Sequence, residues 1–199
     1  MDRVCGLDGY TASKVVAEQI LRRLAAHADN IRVRIFRPGA VCAHSRTGSF
    51  NRTDFVTRYL MEVIRGGGYH ISSSGILEMI PVDEVVRMII PAVIEEREAQ
   101  LVVEDIENRW GSLTFAQLGQ VMKRLGMKAK GIPMKQFKER VKADPTSPLF
   151  PLISYLKESA FIGVDSSRQQ EPQSKLPAVD DNYILLYTRA IRAHLSEGR

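Results

Sequence analysis

Tyr10 and Lys14 stand four residues apart in Gly9-Tyr10-Thr11-Ala12-Ser13-Lys14, a spacing that puts both side chains on one face where a helix begins. An ammonium beside a phenol stabilises the phenolate. Such a pair can pass a proton to a reacting carbonyl oxygen while the lysine also reaches a cofactor ribose. Hydride arriving at the carbonyl carbon would complete a reduction. The same spacing also describes a surface tyrosine next to a solvated lysine, and the pair alone does not separate the two. Ser13 points roughly a hundred degrees away from Lys14 on a helix and is expected to pack or to bond the backbone. Cys5 and Cys42 lack metal-like spacing and are read as idle or buried thiols, so no metal site is expected.

The elements that would position this pair follow from periodicity. From Tyr10 to about Ala26, Val15, Val16, Ala17, Ile20, Leu21 and Leu24 recur at helical spacing, predicting an amphipathic helix. The β-branched run Ile31 to Phe36 then predicts a strand closed by Arg37-Pro38-Gly39. Helix followed by strand suggests one unit of a parallel α/β sheet. Thr53 to Ile64 reads as a helix capped by Asn51 or Thr53 and stopped at Gly66-Gly67-Gly68. A further helix is expected from Ile80-Pro81-Val82-Asp83 to about Ile94, with Asp83 accepting from its first-turn amides and Pro91 ending or kinking it. Gln100 to Val103 is a short strand, and Thr114 to Leu125, Leu149 to Phe161 and Val179 to Leu195 are helices. Asp165 to Pro177 is polar and reads as an exposed connector.

At 199 residues and 44% hydrophobic content the chain is long enough to bury a core. Without a long apolar run or a basic-then-apolar start, neither a spanning helix nor a signal peptide is expected. The reading is a soluble, cytoplasmic protein. A net charge of +5 suits an acidic partner such as an anionic cofactor or a carrier protein. Much of the excess lies in Lys123, Arg124, Lys128, Lys130, Lys135, Lys138, Arg140 and Lys142, read either as a solvated face or as a docking patch. No nucleic-acid motif accompanies it, so no nucleic-acid partner is expected.

Gly-Tyr-x-x-Ser-Lys-x-x-x-Glu, followed by a strand ending in Arg37-Pro38-Gly39, resembles the extended short-chain dehydrogenase/reductase family. Ala43 to Leu60, with His44, Ser45, Asp54, Phe55 and Arg58, is similar to the thioester reductase domains that release acyl chains from carrier proteins. Such domains end some nonribosomal peptide synthetases and occur in carboxylic acid and aminoadipate reductases. Met79-Ile80-Pro81-Val82-Asp83 and Ile132-Pro133-Met134 continue the likeness, which runs from about Gly9 to Val141.

The resemblance implies an α/β fold: the C-terminal part of a Rossmann-like NAD(P)-binding fold over 1–105, followed by a mostly helical substrate or cap subdomain over 106–199. It implies Tyr10 as proton donor, with Lys14 lowering its pKa and holding the nicotinamide ribose. Pro38, Gly39 and Ala40 would flank the nicotinamide at a strand's carboxyl end, and His44 and Ser45 would line the substrate entrance. NADPH is the expected cofactor. A phosphopantetheinyl carrier is the expected partner, together with the N-terminal half of the reductase. The family's catalytic Ser or Thr lies well upstream of its tyrosine, and only nine residues precede Tyr10 here. No G-x-x-G-x-x-G turn occurs in the sequence, so the phosphate-binding loop is expected to be missing and the chain inactive alone. The alternatives are a non-catalytic docking or scaffold fragment and a non-redox, condensing release domain.

Overall fold

The computed structural model describes residues 9–71, 76–95, 99–106, 112–156 and 179–197. In chain order its elements are α1 (Gly9–His27), β1 (Val33–Pro38), β2 (Ala40–Cys42), α2 (Phe55–Gly66), β3 (Gly68–His70), β4 (Ile76–Pro81) and α3 (Val82–Ile94). There follow β5 (Leu101–Ile106), β6 (Ser112–Thr114), α4 (Phe115–Arg124), β7 (Lys130–Ile132), α5 (Met134–Ala143), a 3-10 turn (Phe150–Tyr155) and α6 (Asp181–Glu197). Strands pair in three small sheets, β1-β5, β2-β4-β6 and β3-β7. The β2-β4 and β3-β7 ladders are parallel and β4-β6 is antiparallel. Alternating helices with parallel strands is the α/β class that the sequence implied.

The described residues fall into two compact units, one drawn from Met1–Arg37 with Arg87–Ile106 and the other from Pro38–Val86 with Glu107–Arg199. The first holds β1 and β5, where Val33 N donates to Gln100 O at 2.8 Å. Its core is thin: Ala25, Val33, Ala92 and Ile106 are buried, while Val16, Ile20, Leu21 and Leu24 of α1 and Ile90, Val93 and Ile94 of α3 are exposed. The second unit holds one continuous apolar core. Tyr59, Leu60 and Val63 of α2 meet Phe115, Leu118 and Met122 of α4, Phe137 and Val141 of α5, and Ile184, Tyr187 and Ile191 of α6. Close approach requires a glycine at position 119, since a Cβ there would lie 2.2 Å from the Tyr69 ring.

Several boundaries differ from the sequence expectation for local reasons. Asp54, not Asn51 or Thr53, caps α2, its Oδ1 accepting from Thr57 N at 2.9 Å, because Asn51 is spent on a turn with Thr53. Gly67 does stop α2, in the left-handed region at φ 64°, where its N donates to Val63 O. Ile80 and Pro81 close β4 and do not open α3. Pro91 does not end α3: a proline loses its own donor but keeps its carbonyl, and Glu95 N donates to Pro91 O at 2.9 Å. Thr114 caps α4 through a reciprocal box with Gln117. Where a helix from Leu149 was expected, the described residues form a 3-10 turn interrupted at Leu152. The three-residue strands escaped sequence reading, being too short for periodicity to speak, and α5 was not assigned although Met134, Phe137 and Val141 recur at helical spacing. Cys5 and the connector at 165–178 lie outside the described residues.

Candidate functional site

Tyr10 and Lys14 meet as their spacing implies. Both are exposed on the first turns of α1, Tyr10 by 65%, and Lys14 Nζ lies 5.3 Å from the Tyr10 ring centroid. That is within reach of a cation–π contact. Ser13 Oγ donates to Tyr10 O at 2.7 Å, a bond to the backbone that leaves it off the reactive face.

One turn on from Lys14, Glu18 extends the same stripe and forms an ion pair that sequence reading did not foresee. Arg37, at the end of β1, grips it with a two-pronged fork: Nε donates to Glu18 Oε2 at 3.0 Å and Nη2 donates to Oε1. Arg22 also donates to Glu18 Oε1, at 2.9 Å. The Arg37 guanidinium holds the Glu18 carboxyl below its ordinary range. Two motif pieces that stood apart in the sequence, the Tyr-Lys helix and the Arg-Pro-Gly strand end, are thereby tied through Glu18 and Arg37. A bidentate fork fixes orientation as well as distance.

In the second unit, Pro38 is exposed and Gly39 and Ala40 are half-buried. Gly39 has its own structural reason: a Cβ there would stand 3.0 Å from Glu78 O. Ala40 pairs with Met79 in the β2-β4 ladder. His44 and Ser45 come together around Asp83. Ser45 N donates to Asp83 Oδ1 at 2.8 Å, Ser45 Oγ donates to Oδ2 at 2.6 Å, and His44 Nδ1 lies 3.7 Å from Oδ2. Burial raises the Asp83 carboxyl, but the two Ser45 bonds, together with Asp83's own backbone N–H and the neighbouring His44, outweigh it, so its pKa falls below the ordinary value. This corrects the expectation that Asp83 serves the first-turn amides of α3; its carboxylate clamps the 44–45 loop instead. From the other side, Tyr183 Oη donates to Ala43 O at 2.8 Å. Gly48, at φ 69°, turns the loop back so that Gly48 N donates to His44 O at 2.9 Å. Asp83 and Tyr183 are 38 and 140 residues from their partners in sequence, so no local signal announced them.

Cys42 is buried, and burial pushes its thiol pKa up, so it lacks the thiolate character of a nucleophile. Among the described residues no helix is long and apolar enough to cross a membrane.

Parallel strands alternating with helices define a Rossmann-like α/β class. The NAD-binding family described as male sterility protein matches residues 5–89. A nonribosomal peptide synthetase of Aspergillus campestris is 31% identical over 182 residues, covering 89% of this chain and 17% of the synthetase. The terminal R domain of the myxalamid polyketide–nonribosomal peptide pathway superposes with a TM-score of 0.75 at 26% identity, covering 94% of this chain and 50% of that one. A thiolation-reductase di-domain of an archaeal nonribosomal peptide synthetase shares the fold, with a TM-score of 0.66 at 15% identity over 95% of this chain and 41% of the di-domain. The chain belongs with the short-chain dehydrogenase/reductase-like thioester reductase domains. It spans about half the length of the solved R domain and under a fifth of the synthetase.

The residues present fit a nicotinamide nucleotide at one end only. Tyr10 and Lys14 are accessible to a ribose and a carbonyl. For the pyrophosphate, the sequence offers no glycine-rich turn from strand to helix. Gly66-Gly67-Gly68 is no substitute, because it ends α2 instead of opening a helix and the Gly67 N–H, the kind of donor a phosphate needs, is given to Val63 O.

Proposed function

We propose that this chain is the C-terminal portion of an NADPH-dependent reductase that releases an acyl or peptidyl thioester from a phosphopantetheine carrier as an aldehyde or, after a second round, an alcohol. The observation that carries the reading is the accessible Tyr10–Lys14 pair within a chain that follows a terminal R domain over 94% of its length. NADPH, when bound, supplies hydride to the thioester carbonyl carbon. Tyr10 gives its phenolic proton to the carbonyl oxygen, which otherwise would carry the developing charge; the resulting hemithioacetal then breaks its C–S bond, its hydroxyl giving up the proton as the aldehyde carbonyl re-forms and the carrier's pantetheine sulfur leaving as the thiol. Lys14 supplies positive charge beside that phenol and hydrogen-bonds the ribose. Glu18 and Arg37 hold α1 against the end of β1 while this happens. Pro38, Gly39 and Ala40 flank the nicotinamide, and the 44–45 loop, clamped by Asp83, borders the substrate entrance. These 199 residues contain no glycine-rich pyrophosphate turn, so the chain by itself does not turn over. The reaction takes place in the cytoplasm, where the carrier partner also resides.

The test follows the tyrosine side-chain resonances of the folded chain by NMR as NADPH is raised into the millimolar range. The Tyr10 signal is expected to shift, and Lys14→Ala to abolish the shift while Tyr10→Phe identifies the resonance. A folded chain whose Tyr10 signal is unmoved, or moves equally with Lys14→Ala, refutes the assignment of the pair to the cofactor and leaves a docking fragment.

A further inference from the structure

The charge of this protein is concentrated in one place. Residues 123–142 hold eight basic residues against the single acid Glu139, whereas the rest of the chain is slightly acidic. Two of the eight are occupied. Arg124 pairs with Asp181 at 2.8 Å, and Arg140 turns inward to the carbonyls of Gly66 and Gly68 and to Glu62. The other six, Lys123, Lys128, Lys130, Lys135, Lys138 and Lys142, form no ion pair among the described residues.

These lysines are placed by the fold. On α5 the buried stripe is Met134, Phe137 and Val141, and Lys135, Lys138 and Lys142 repeat at the same three-and-four spacing on an adjoining face. Arg140 latches α5 to the first residue of β3, Gly68, which pairs with Lys130 of β7. Lys130 is therefore held near the α5 stripe. Unpaired like charges repel and cost stability, and a surface that tolerates them is suited to an anionic partner, which it steers and orients.

The surroundings select the kind of partner. No large hydrophobic side chain from this stretch is exposed among the described residues, and its one aromatic residue, Phe137, is buried. A lipid surface lacks an apolar wedge here, and a single-stranded nucleic acid lacks a stacking platform. Lysines at helical spacing match carboxylates at helical spacing.

We propose that the lysine face of β7 and α5, with the end of α4, is the docking surface for an acidic helix of a phosphopantetheine-bearing carrier domain. This rests on the reductive-release reading, because that reading requires a carrier to be presented. The carrier is held by exposed charge, so binding weakens with salt and ranks with the acidity of the carrier.

The experiment measures binding of the whole 199-residue chain to phosphopantetheinylated carrier domains graded from strongly acidic to neutral, at low and high salt. The most acidic carrier is expected to bind tightest. Lys135→Glu/Lys138→Glu/Lys142→Glu is expected to weaken it by at least about tenfold. Arg23→Glu/Arg32→Glu/Arg192→Glu changes the net charge equally outside residues 123–142 and is expected to leave binding within about twofold. The corresponding triple alanine variant, matched to the parent by circular dichroism, guards against misfolding and is expected to show a smaller loss in the same direction. Equal weakening by the two reversals, no ranking by acidity, no carrier binding, or tighter binding of duplex DNA or phosphatidylserine vesicles overturns the proposal. No cofactor enters this assay. Carrier binding through the lysines without any Tyr10 response to NADPH would refute the reductase reading alone, and the converse result would refute the docking face alone.

Discussion

His70 gives the core of the second unit an acid sensitivity whose size can be worked out. It is 1% exposed, and its ring sits 4.2 Å from Phe115, 5.6 Å from Tyr59 and 5.7 Å from Phe137 between centroids. Neither ring nitrogen has a hydrogen-bond partner. Nothing nearby compensates a positive charge there, and burial lowers the pKa from the ordinary 6.5 to about 4. The folded protein therefore refuses a proton that the unfolded chain accepts. Stability is full above pH 6.5 and is lost as pH falls toward 4, with a slope of about 1.4 kcal/mol per pH unit for one proton. Across the two and a half units this amounts to about 3 kcal/mol, of which about 2 kcal/mol falls between pH 6.5 and 5, before most carboxylates titrate. Urea unfolding followed by circular dichroism over that window measures it. His70→Leu, which fills similar space without a titrating group, should flatten the slope and at pH 7 match or exceed the parent, since two unpaired polar atoms are removed. An unchanged slope in His70→Leu, or a parent whose midpoint is flat between pH 6.5 and 5, would refute the reasoning.

Arg140→Leu should destabilise by about 3 kcal/mol in urea, because Glu62, 5% exposed, would keep only the Ser147 hydroxyl at 2.6 Å as partner. The double variant Arg140→Leu/Glu62→Gln should recover part of that loss, and no recovery would show that the charge is not the cause. Asp83→Ala should leave the fold intact but speed hydrogen exchange at the Ser45 amide by about tenfold or more, since that N–H loses its acceptor. In the parent this clamp is present above the ordinary carboxylate pKa of 3.8 and is lost as pH falls through the lowered folded value. Ser45 exchange that is indifferent to Asp83→Ala would remove the clamp from the account.

Local bonding explains how much of the molecule was legible beforehand. A helix repeats every 3.6 residues, so the apolar rows of α1, α2, α4 and α6 announced those helices, and Tyr10 and Lys14 were bound to meet. Caps are nearly as local. Thr114 with Gln117 and Gly67 with Val63 span three or four residues, although the choice among Asn51, Thr53 and Asp54 turned on which side chain was free. β3 and β7 were invisible because three residues show no period and their pairing partner lies about sixty positions away.

The sequence by itself determined the class of fold, the principal helices, the Tyr10–Lys14 pair and the clustering of positive charge, because each depends on residues within a turn or two of one another. Only the tertiary structure decided that Arg37 would seize Glu18, that Asp83 would hold Ser45 and not its own helix start, that Arg140 would turn inward while its neighbouring lysines stay out, and that His70 would lie buried without a partner. Those contacts join positions 19, 38 and 74 residues apart. A charged or hydrogen-bonding side chain pairs with whatever the folded chain brings within about 3 Å of it, and chain order does not specify that neighbour.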